Sequence, residues 1–323
     1  MSKIVLGIDV GKQELALALL KDERFFSKTV ANSEAGFKAI EKFISSHTSA
    51  QPEVYMEATG NYSTPVADYL VDHGYVVKVV NPRKIHYFIQ MELGKTKTDK
   101  SDAKFIATYG TKFEDRPYKK PPENLRKIKA LYRTYLALID QSTMCKNHLE
   151  SSMEKEVAEH WKDLLKSIES HIKEIVKQIV GIIKADQCLA KHFKNLQTIP
   201  GVAKITAIAA ISEIQDIENF DTARQLAAYF GVTPKHRESG TSVHGRSKMS
   251  KMGNAIFRKA LYFPAITAMT RIKSLEKFRQ RQESKGKTTY QIMVAVMKKL
   301  IHAMFAIMKK GSEFNEKSLF KNA

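Results

Sequence analysis

Between Lys95 and Lys104 the sequence runs KTKTDKSDAK, two aspartates three residues apart among four lysines. An i,i+3 pair shares one side of a helix, which Thr98 or Asp99 could cap, and mixed acids and bases are ordinary on a solvated helix face. Two acids elsewhere change the weight of that pair. Asp9 lies in IVLGIDVGK between the β-branched Ile8 and Val10, where a carboxylate is expensive to desolvate unless it is paired, hydrogen-bonded or bound to metal. Glu57 closes PEVYMEATG, where a strand hands over to a loop, and ligand sites in α/β sheets favour strand ends. Each could equally be a satisfied polar residue at a sheet edge. Brought together, Asp9, Glu57, Asp99 and Asp102 would repel one another and raise the pKa of some members unless divalent cations were present. Magnesium suits hard oxygen ligands, and two such ions about 3.5 to 4 Å apart stabilise the attacking and leaving oxygens of phosphoryl transfer. Lys95, Lys97 and Lys100 would then hold a phosphate backbone beside the metal-bearing acids.

A second chemical candidate lies in FGVTPKHRESGTSVHGRSKMSKMGNAIFRKAL, which sets Ser239 before Gly240 in a run carrying Arg237, His244, Arg246, Lys248 and Lys251. A lone Ser-Gly is ordinarily a turn. Serine is a weak nucleophile until a base, a metal or nearby cations favour its alkoxide and the developing phosphorane charge. This run supplies the cations.

The elements that must position these residues are legible in outline. Length, 323 residues, predicts two or three folding units. From Lys3 to about Thr111 short β-rich runs alternate with helical ones, with strands expected at Ile4–Val10, Leu15–Leu20, Phe25–Val30, Glu53–Glu57 and Val76–Val80. Ser33 is expected to cap a helix from Glu34 to about Ser46, and Ser63 another through Asp72. Three β-runs followed by alternating helix and strand is an order found in ribonuclease-H-like domains. After Pro117, Pro121 and Pro122, stripes at Leu125, Ile128, Leu131, Tyr135, Leu138 and Ile139, then at Leu164, Leu165, Ile168, Ile172, Ile175, Ile179 and Ile182, imply two long helices that reverse near Glu154–His160 as an antiparallel coiled-coil arm. LQTIPGVAKITAIAAISEI from Leu196 reads as a helix end, a Pro-Gly turn and a second helix, similar to a helix-hairpin-helix that offers backbone amides to phosphate. Asp221 is expected to cap a helix running to Phe230, a long glycine- and lysine-rich loop follows, and apolar helices are expected at Ala255–Arg271 and Tyr290–Lys309, with the last dozen residues frayed.

Composition narrows the partners. Lysine plus arginine outnumber acids 53 to 34, a net charge of +19 with pI near 9.6, which favours a polyanion, nucleic acid first. No segment reads as a membrane span, since Lys298, Lys299 and His302 interrupt Ile292–Met308, and MSKIVLGIDV lacks the organisation of a signal peptide, so a cytoplasmic protein is expected. Cys145 and Cys188, far apart, suggest neither disulfide nor zinc. The pentapeptide Gly7-Ile8-Asp9-Val10-Gly11 also opens sugar-kinase and actin-type ATPases. The Asp-x-x-Asp, the lack of a second glycine-rich phosphate loop and the charge argue against that reading. A two-metal nuclease of the Holliday-junction type, using water, stays open beside it.

Taken in order and spacing, GIDVGK, MEATGNY, VVNPRKI, KTDKSDA, TIPGVAKITA, LAAYFGVTP, ESG and GRSKMSKMGN resemble the insertion-sequence transposases with an Asp-Glu-Asp-Asp tetrad, the bridge-RNA-guided serine recombinases, over essentially the whole chain. The resemblance implies a RuvC-like domain at 1–120 with Asp9, Glu57, Asp99 and Asp102 as magnesium ligands, a coiled-coil arm at 121–193, and a mainly helical transposase domain at 194–323 with Ser239 as nucleophile. It further implies a covalent phosphoserine link to DNA, strand exchange between donor and target duplexes, a structured guide RNA that pairs with both, a tetrameric assembly, and a cytoplasmic prokaryotic protein that joins the nucleoid when bound to DNA. Arg83, Lys84, Lys95, Lys97, Lys100, Arg237, Arg246, Lys248 and Lys251 are the expected nucleic-acid contacts. Two departures stand out: Glu238 precedes the serine where many members carry an uncharged residue, and Lys251-Met252-Gly253 replaces the more frequent Lys-Arg-Gly.

Overall fold

The computed structural model describes residues 3–92, 99–239, 243–250 and 252–320; the side chains of 99, 100, 234–239, 243–248 and 318 are outside the description. The chain divides into two compact units, Met1–Lys120 and Pro121–Ala323.

In the first unit β1 (Val5–Val10), β2 (Glu14–Lys21) and β3 (Arg24–Ala31) form an antiparallel meander, and β4 (Glu53–Glu57) and β5 (Val77–Val80) continue the sheet parallel to β1 in the order β3-β2-β1-β4-β5. That order is consistent with the expected ribonuclease-H-like arrangement. The turn between β2 and β3 uses positive φ at Asp22 and Glu23 (47° and 63°), which matches strand twist in a two-residue hairpin. The two-residue period of β1 splits its side chains between two cores. Leu6, Ile8 and Val10 pack with Phe37, Ile40, Phe43 and Ile44 of α1 (Glu34–Ser45) and Val66, Ala67 and Leu70 of α2 (Ser63–Asp72). On the opposite face Val5, with Tyr55 and Val80, packs against Ile85 and Phe88 of α3 (Pro82–Met91) and Ile106, Ala107 and Tyr109 of α4 (Asp99–Lys112).

Ser33 caps α1 as expected, its side chain accepting from Gly36 N. Ser63 does not cap α2: a short 3-10 turn, Gly60–Tyr62, runs straight into the helix, so Ser63 is its first residue and donates back to Gly60 O at 3.2 Å. The α3 helix was not foreseen as one. Asn81 caps it and Pro82 sits at its first position, a pairing that starts helices because proline has no N–H to leave unsatisfied there.

Among the described residues, the second unit is helical apart from one hairpin. α5 (Glu123–Ser151) and α6 (Lys155–Ala185) lie antiparallel, as Asn124–Asp186, Lys146–Glu169 and His148–Trp161 contacts show. The reversal occupies only 152–154, ahead of the expected Glu154–His160, and the buried stripe of α5 is Leu125, Ile128, Tyr132, Ser142 and Cys145 rather than one through Leu138 and Ile139. The root of this pair joins the core built by α7 (Gln187–Leu196), α8 (Lys204–Ile214), α9 (Ala223–Tyr229), α10 (Ala255–Ala260), α11 (Tyr262–Arg271), α12 (Lys273–Glu283) and α13 (Thr289–Lys310). Gly201, between α7 and α8, takes φ +95°, and a Cβ there would lie 2.7 Å from Pro264 O. Close packing on α11 is therefore reason enough for that glycine.

Five further expectations need comment. Thr222, not Asp221, caps α9; Asp221 instead accepts from Gln225 Nε2 at 3.3 Å. The expected helix Ala255–Arg271 is two helices that meet at Leu261, and the glycine- and lysine-rich loop is an antiparallel hairpin, β6 (Pro234–Ser239) with β7 (Val243–Met249). The tail is not frayed through its last dozen residues: Leu319 is buried and its carbonyl accepts from Lys299 Nζ at 3.3 Å. Finally, α13 is long and apolar enough to cross a membrane by length and composition. Its Ile292, Val296, Leu300, Ala303, Met304 and Ile307 face the helical core instead.

Candidate active site

Parallel pairing sets Val5 opposite Glu53, Leu6 opposite Val54, Gly7 opposite Tyr55 and Ile8 opposite Met56. One step further in that register, Asp9 falls beside Glu57 at the carboxyl ends of two adjacent strands. Partners opposite one another in a ladder share a face, so both acids stand on the side covered by α4. Both are half-buried.

The path of α4 follows from close approaches at two glycines. A Cβ on Gly7 would lie 2.2 Å from Ala103 O and 2.5 Å from Ala107 N, while one on Gly110 would meet the Val5 side chain at 2.7 Å and the Tyr55 ring at 2.6 Å. The helix thus runs antiparallel to β1, with Gly110 over Val5 and the Ala103–Ala107 turn over Gly7. Its first turns, which carry Asp99 and the half-buried Asp102, extend toward the Asp9–Glu57 end of the strands. The plain alternative for these acids is stabilisation by the positive end of α4.

Asp9, Glu57 and Asp102 all have partners. Among the described residues, no three His, Cys, Asp or Glu side chains group closely enough to hold a metal ion; the side chain of Asp99 lies outside them. Asp9 and Glu57 nevertheless offer what suits a hard divalent cation, half-buried carboxylate oxygens at the strand ends where α/β sheets bind ligands.

Loops at the same edge are tied by a residue that sequence reasoning missed. Asn32, just past β3, donates through Nδ2 to Gly11 O at 2.9 Å and to Tyr62 O at 3.1 Å. It stitches the turn after Asp9 to the segment after Glu57. At the opposite edge, Lys78, 1% exposed, donates to Glu53 at 2.7 Å, to Tyr55 Oη at 3.1 Å and to Glu114. Burial alone would raise the Glu53 carboxyl, but hydrogen bonds from Lys78 and Lys3 hold it below its ordinary range. This network is remote from Asp9 and is structural.

Among the expected nucleic-acid contacts, Arg83 is exposed in the first turn of α3 and Lys84 is engaged with Asp115. Lys100 lies in the first turn of α4. Arg237 and Ser239 lie in β6, Arg246 and Lys248 in β7, and Ser239, the last residue of its strand, pairs with Val243. Lys95, Lys97 and Lys251 fall outside the described residues.

Family models match two stretches of the chain. Residues 6–156 match a transposase model of IS110 elements, described as "Transposase", and residues 193–283 match "Transposase IS116/IS110/IS902 family". The pilin gene-inverting protein of Moraxella bovis is 30% identical over 324 residues, covering 98% of this chain and 99% of that protein. A 43.6 kDa insertion element IS110 protein of Streptomyces coelicolor is 30% identical over 122 residues, 38% of this chain and 30% of that one. Thermus thermophilus RuvC in complex with a Holliday junction substrate aligns with 36% of this chain and 99% of its own at 15% identity, with a TM-score of only 0.27; the strand order, not that likeness, carries the fold. With matches on both units and a relative aligned end to end, the chain belongs to the IS110 family of transposases.

Proposed function

We propose that this transposase is an RNA-guided DNA recombinase in which Ser239 attacks a phosphodiester beside metal ions held by Asp9, Glu57, Asp99 and Asp102. The observation that supports it most is the register of β1 on β4, which sets Asp9 beside Glu57 beneath a helix whose first turns bear the other two acids. Ser239 Oγ forms a bond to phosphorus and loses its proton, the bond to the 3′ oxygen breaks, and that oxygen takes a proton to leave as a free hydroxyl. The same hydroxyl, or one from a partner duplex, attacks the phosphoserine to rejoin DNA and free the serine. Bound magnesium would offset charge on the attacking and leaving oxygens. The side chains of the acid set would orient that charge, and the cations of the β6–β7 hairpin would hold the phosphate.

Rejoining distinguishes this reading from a nuclease that uses water. The relative matched end to end is named for inverting a gene, an operation that needs strands joined as well as cut. The family resemblance supports a structured guide RNA and a tetramer, and the net charge of +19 suits two polyanions at once. In this reading residues 1–120 carry the acids, 121–193 form an arm for assembly, and 194–323 carry the serine.

The test is recombination by purified protein on donor and target DNA, with and without the RNA that copurifies, followed by denaturing electrophoresis. The expected outcome is a protein–DNA adduct that disappears in Ser239→Ala and recombination that is lost on RNA removal and restored on its return. Undiminished cutting by Ser239→Ala would refute the serine, and RNA-independent recombination would refute guidance.

A further inference from the structure

α8 is buried at every position from Ala207 to Ile214, yet it carries one acid, Glu213, 1% exposed. Glu213 Oε2 accepts from two donors: Nη2 of Arg133 on α5, at 2.9 Å, and Nδ2 of Asn254. Oε1 is buried without a hydrogen-bond partner among the described residues. Lys129, one turn before Arg133, reaches Gln215 Oε1 at 3.4 Å. The Tyr229 phenol is pushed up by burial first and by the Glu213 charge second, which places that charge near the end of α9 as well. Stability alone is a poor reason for such a residue, because a buried ion pair is often replaced by apolar side chains at no loss.

Its partners suggest another reason. Asn254 ends the segment that leaves β7. Its Oδ1 caps α10 by accepting from Ile256 N at 2.9 Å and Phe257 N at 3.3 Å, and its own N–H donates to Tyr229 O at 3.2 Å. Gly253, at φ +120°, passes so close to α9 that a Cβ would lie 2.0 Å from Tyr229 O. Arg258 Nη1 donates to Gly253 O and to Phe230 O, and Ser250 N donates to Thr233 O. Both roots of the β6–β7 hairpin are pinned here. The carboxylate of Glu213 joins that anchor to α5.

We infer that Glu213 is a positioning residue that ties the root of the β6–β7 hairpin, and so Ser239 at its far end, to α5 through Arg133. The inference rests on the proposed role of Ser239. Glu213→Ala removes the shared acceptor, Glu213→Gln keeps an acceptor oxygen of the same size, and Arg133→Gln removes the guanidinium and its charge from a partly exposed position, leaving a shorter amide. Met304→Ala, a core truncation in α13, serves as a control for lost stability.

The readouts are hydrogen exchange at the Ser250 and Asn254 amides, single-turnover adduct formation, affinity for duplex DNA bearing the element's end, and Tm. Glu213→Ala should exchange at least tenfold faster at both amides and form adduct at least tenfold more slowly, with DNA affinity within twofold. Glu213→Gln should recover most of both effects. Arg133→Gln should show them in milder form, and Met304→Ala should lower Tm without either. The inference is overturned if Glu213→Ala behaves like Met304→Ala, or, should Glu213→Ala not fold, if Arg133→Gln leaves exchange unchanged. If Ser239→Ala keeps the adduct, the serine assignment falls, while exchange at Ser250 and Asn254 still decides whether Glu213 anchors the hairpin.

Discussion

Replacing Gly7 by alanine is the sharpest perturbation of the first unit. The new Cβ would sit 2.2 Å from Ala103 O and 2.5 Å from Ala107 N, against 3.4 Å for the near limit of ordinary contact. Both obstacles are helix backbone, so neither can swing aside, and α4 must retreat by about 1.2 Å, the difference between 2.2 and 3.4 Å. Overpacking of this kind destabilises by about 1–3 kcal/mol, and displacing a catalytic group by about 1 Å can slow chemistry roughly 100-fold. Gly7→Ala should therefore lower the urea midpoint and, where folded, cut DNA about 100-fold more slowly while binding it with nearly unchanged affinity. Gly181→Ala is the control. Gly181 lies within α6 with nothing near its would-be Cβ, so alanine there should stabilise by about 0.5–1 kcal/mol. A Gly7→Ala protein with wild-type stability and wild-type cleavage would refute the seating of α4 on β1, and with it the direction in which the first turns of α4 run.

Two other perturbations report on buried charge. His302 is buried in α13 with no hydrogen-bond partner for Nε2 among the described residues; burial first, then Lys298, Lys299 and Arg224, push its pKa from 6.5 down to about 4. A depressed imidazole contributes stability that is complete above pH 6.5 and lost as pH falls toward 4, at most about 3 kcal/mol at roughly 1.4 kcal/mol per pH unit. Urea melts across that window should show the loss, and His302→Leu should flatten it; an unchanged slope in the variant would assign the loss elsewhere. Glu53→Ala should cost about 1–2 kcal/mol at pH 7 by taking a charged hydrogen-bond acceptor from Lys78. Because the Glu53 carboxyl is held low, that deficit is full above the ordinary carboxylate range and shrinks as acid protonates the wild-type group, which melts at pH 7 and pH 3 would reveal.

The strands that carry the acids are legible because short apolar runs within Ile4–Val10 and Glu53–Glu57 end in turns, and Ser33 announces its helix as a residue type suited to a cap. Their adjacency was not legible. The register that carries Asp9 to the side of Glu57 comes from a parallel pairing across more than forty residues, and no local pattern fixes such a register. Asn32 escaped for a similar reason, since its amide acts on carbonyls 21 and 30 residues away. The β6–β7 hairpin looks like a loop in sequence because its residues are rich in glycine, lysine, arginine and serine, whereas the ladder that holds it is made by backbone. α12 was missed because Leu275 is its one buried residue among those described, too sparse for a 3.6-residue period. Glu213 left a visible mark, an acid inside AIAAISEI, but its donors lie 80 residues upstream and 41 downstream.

Manganese(II), a stand-in for magnesium that scatters anomalously, tests the acid cluster most directly. Crystals of the protein–DNA complex grown with it should show an anomalous peak about 2.0–2.3 Å from carboxylate oxygens of Asp9, Glu57 and Asp99 or Asp102, and Asp9→Asn should abolish it. A peak elsewhere, or one that survives Asp9→Asn and Glu57→Gln undiminished, would contradict the assignment of these acids as the metal-holding centre.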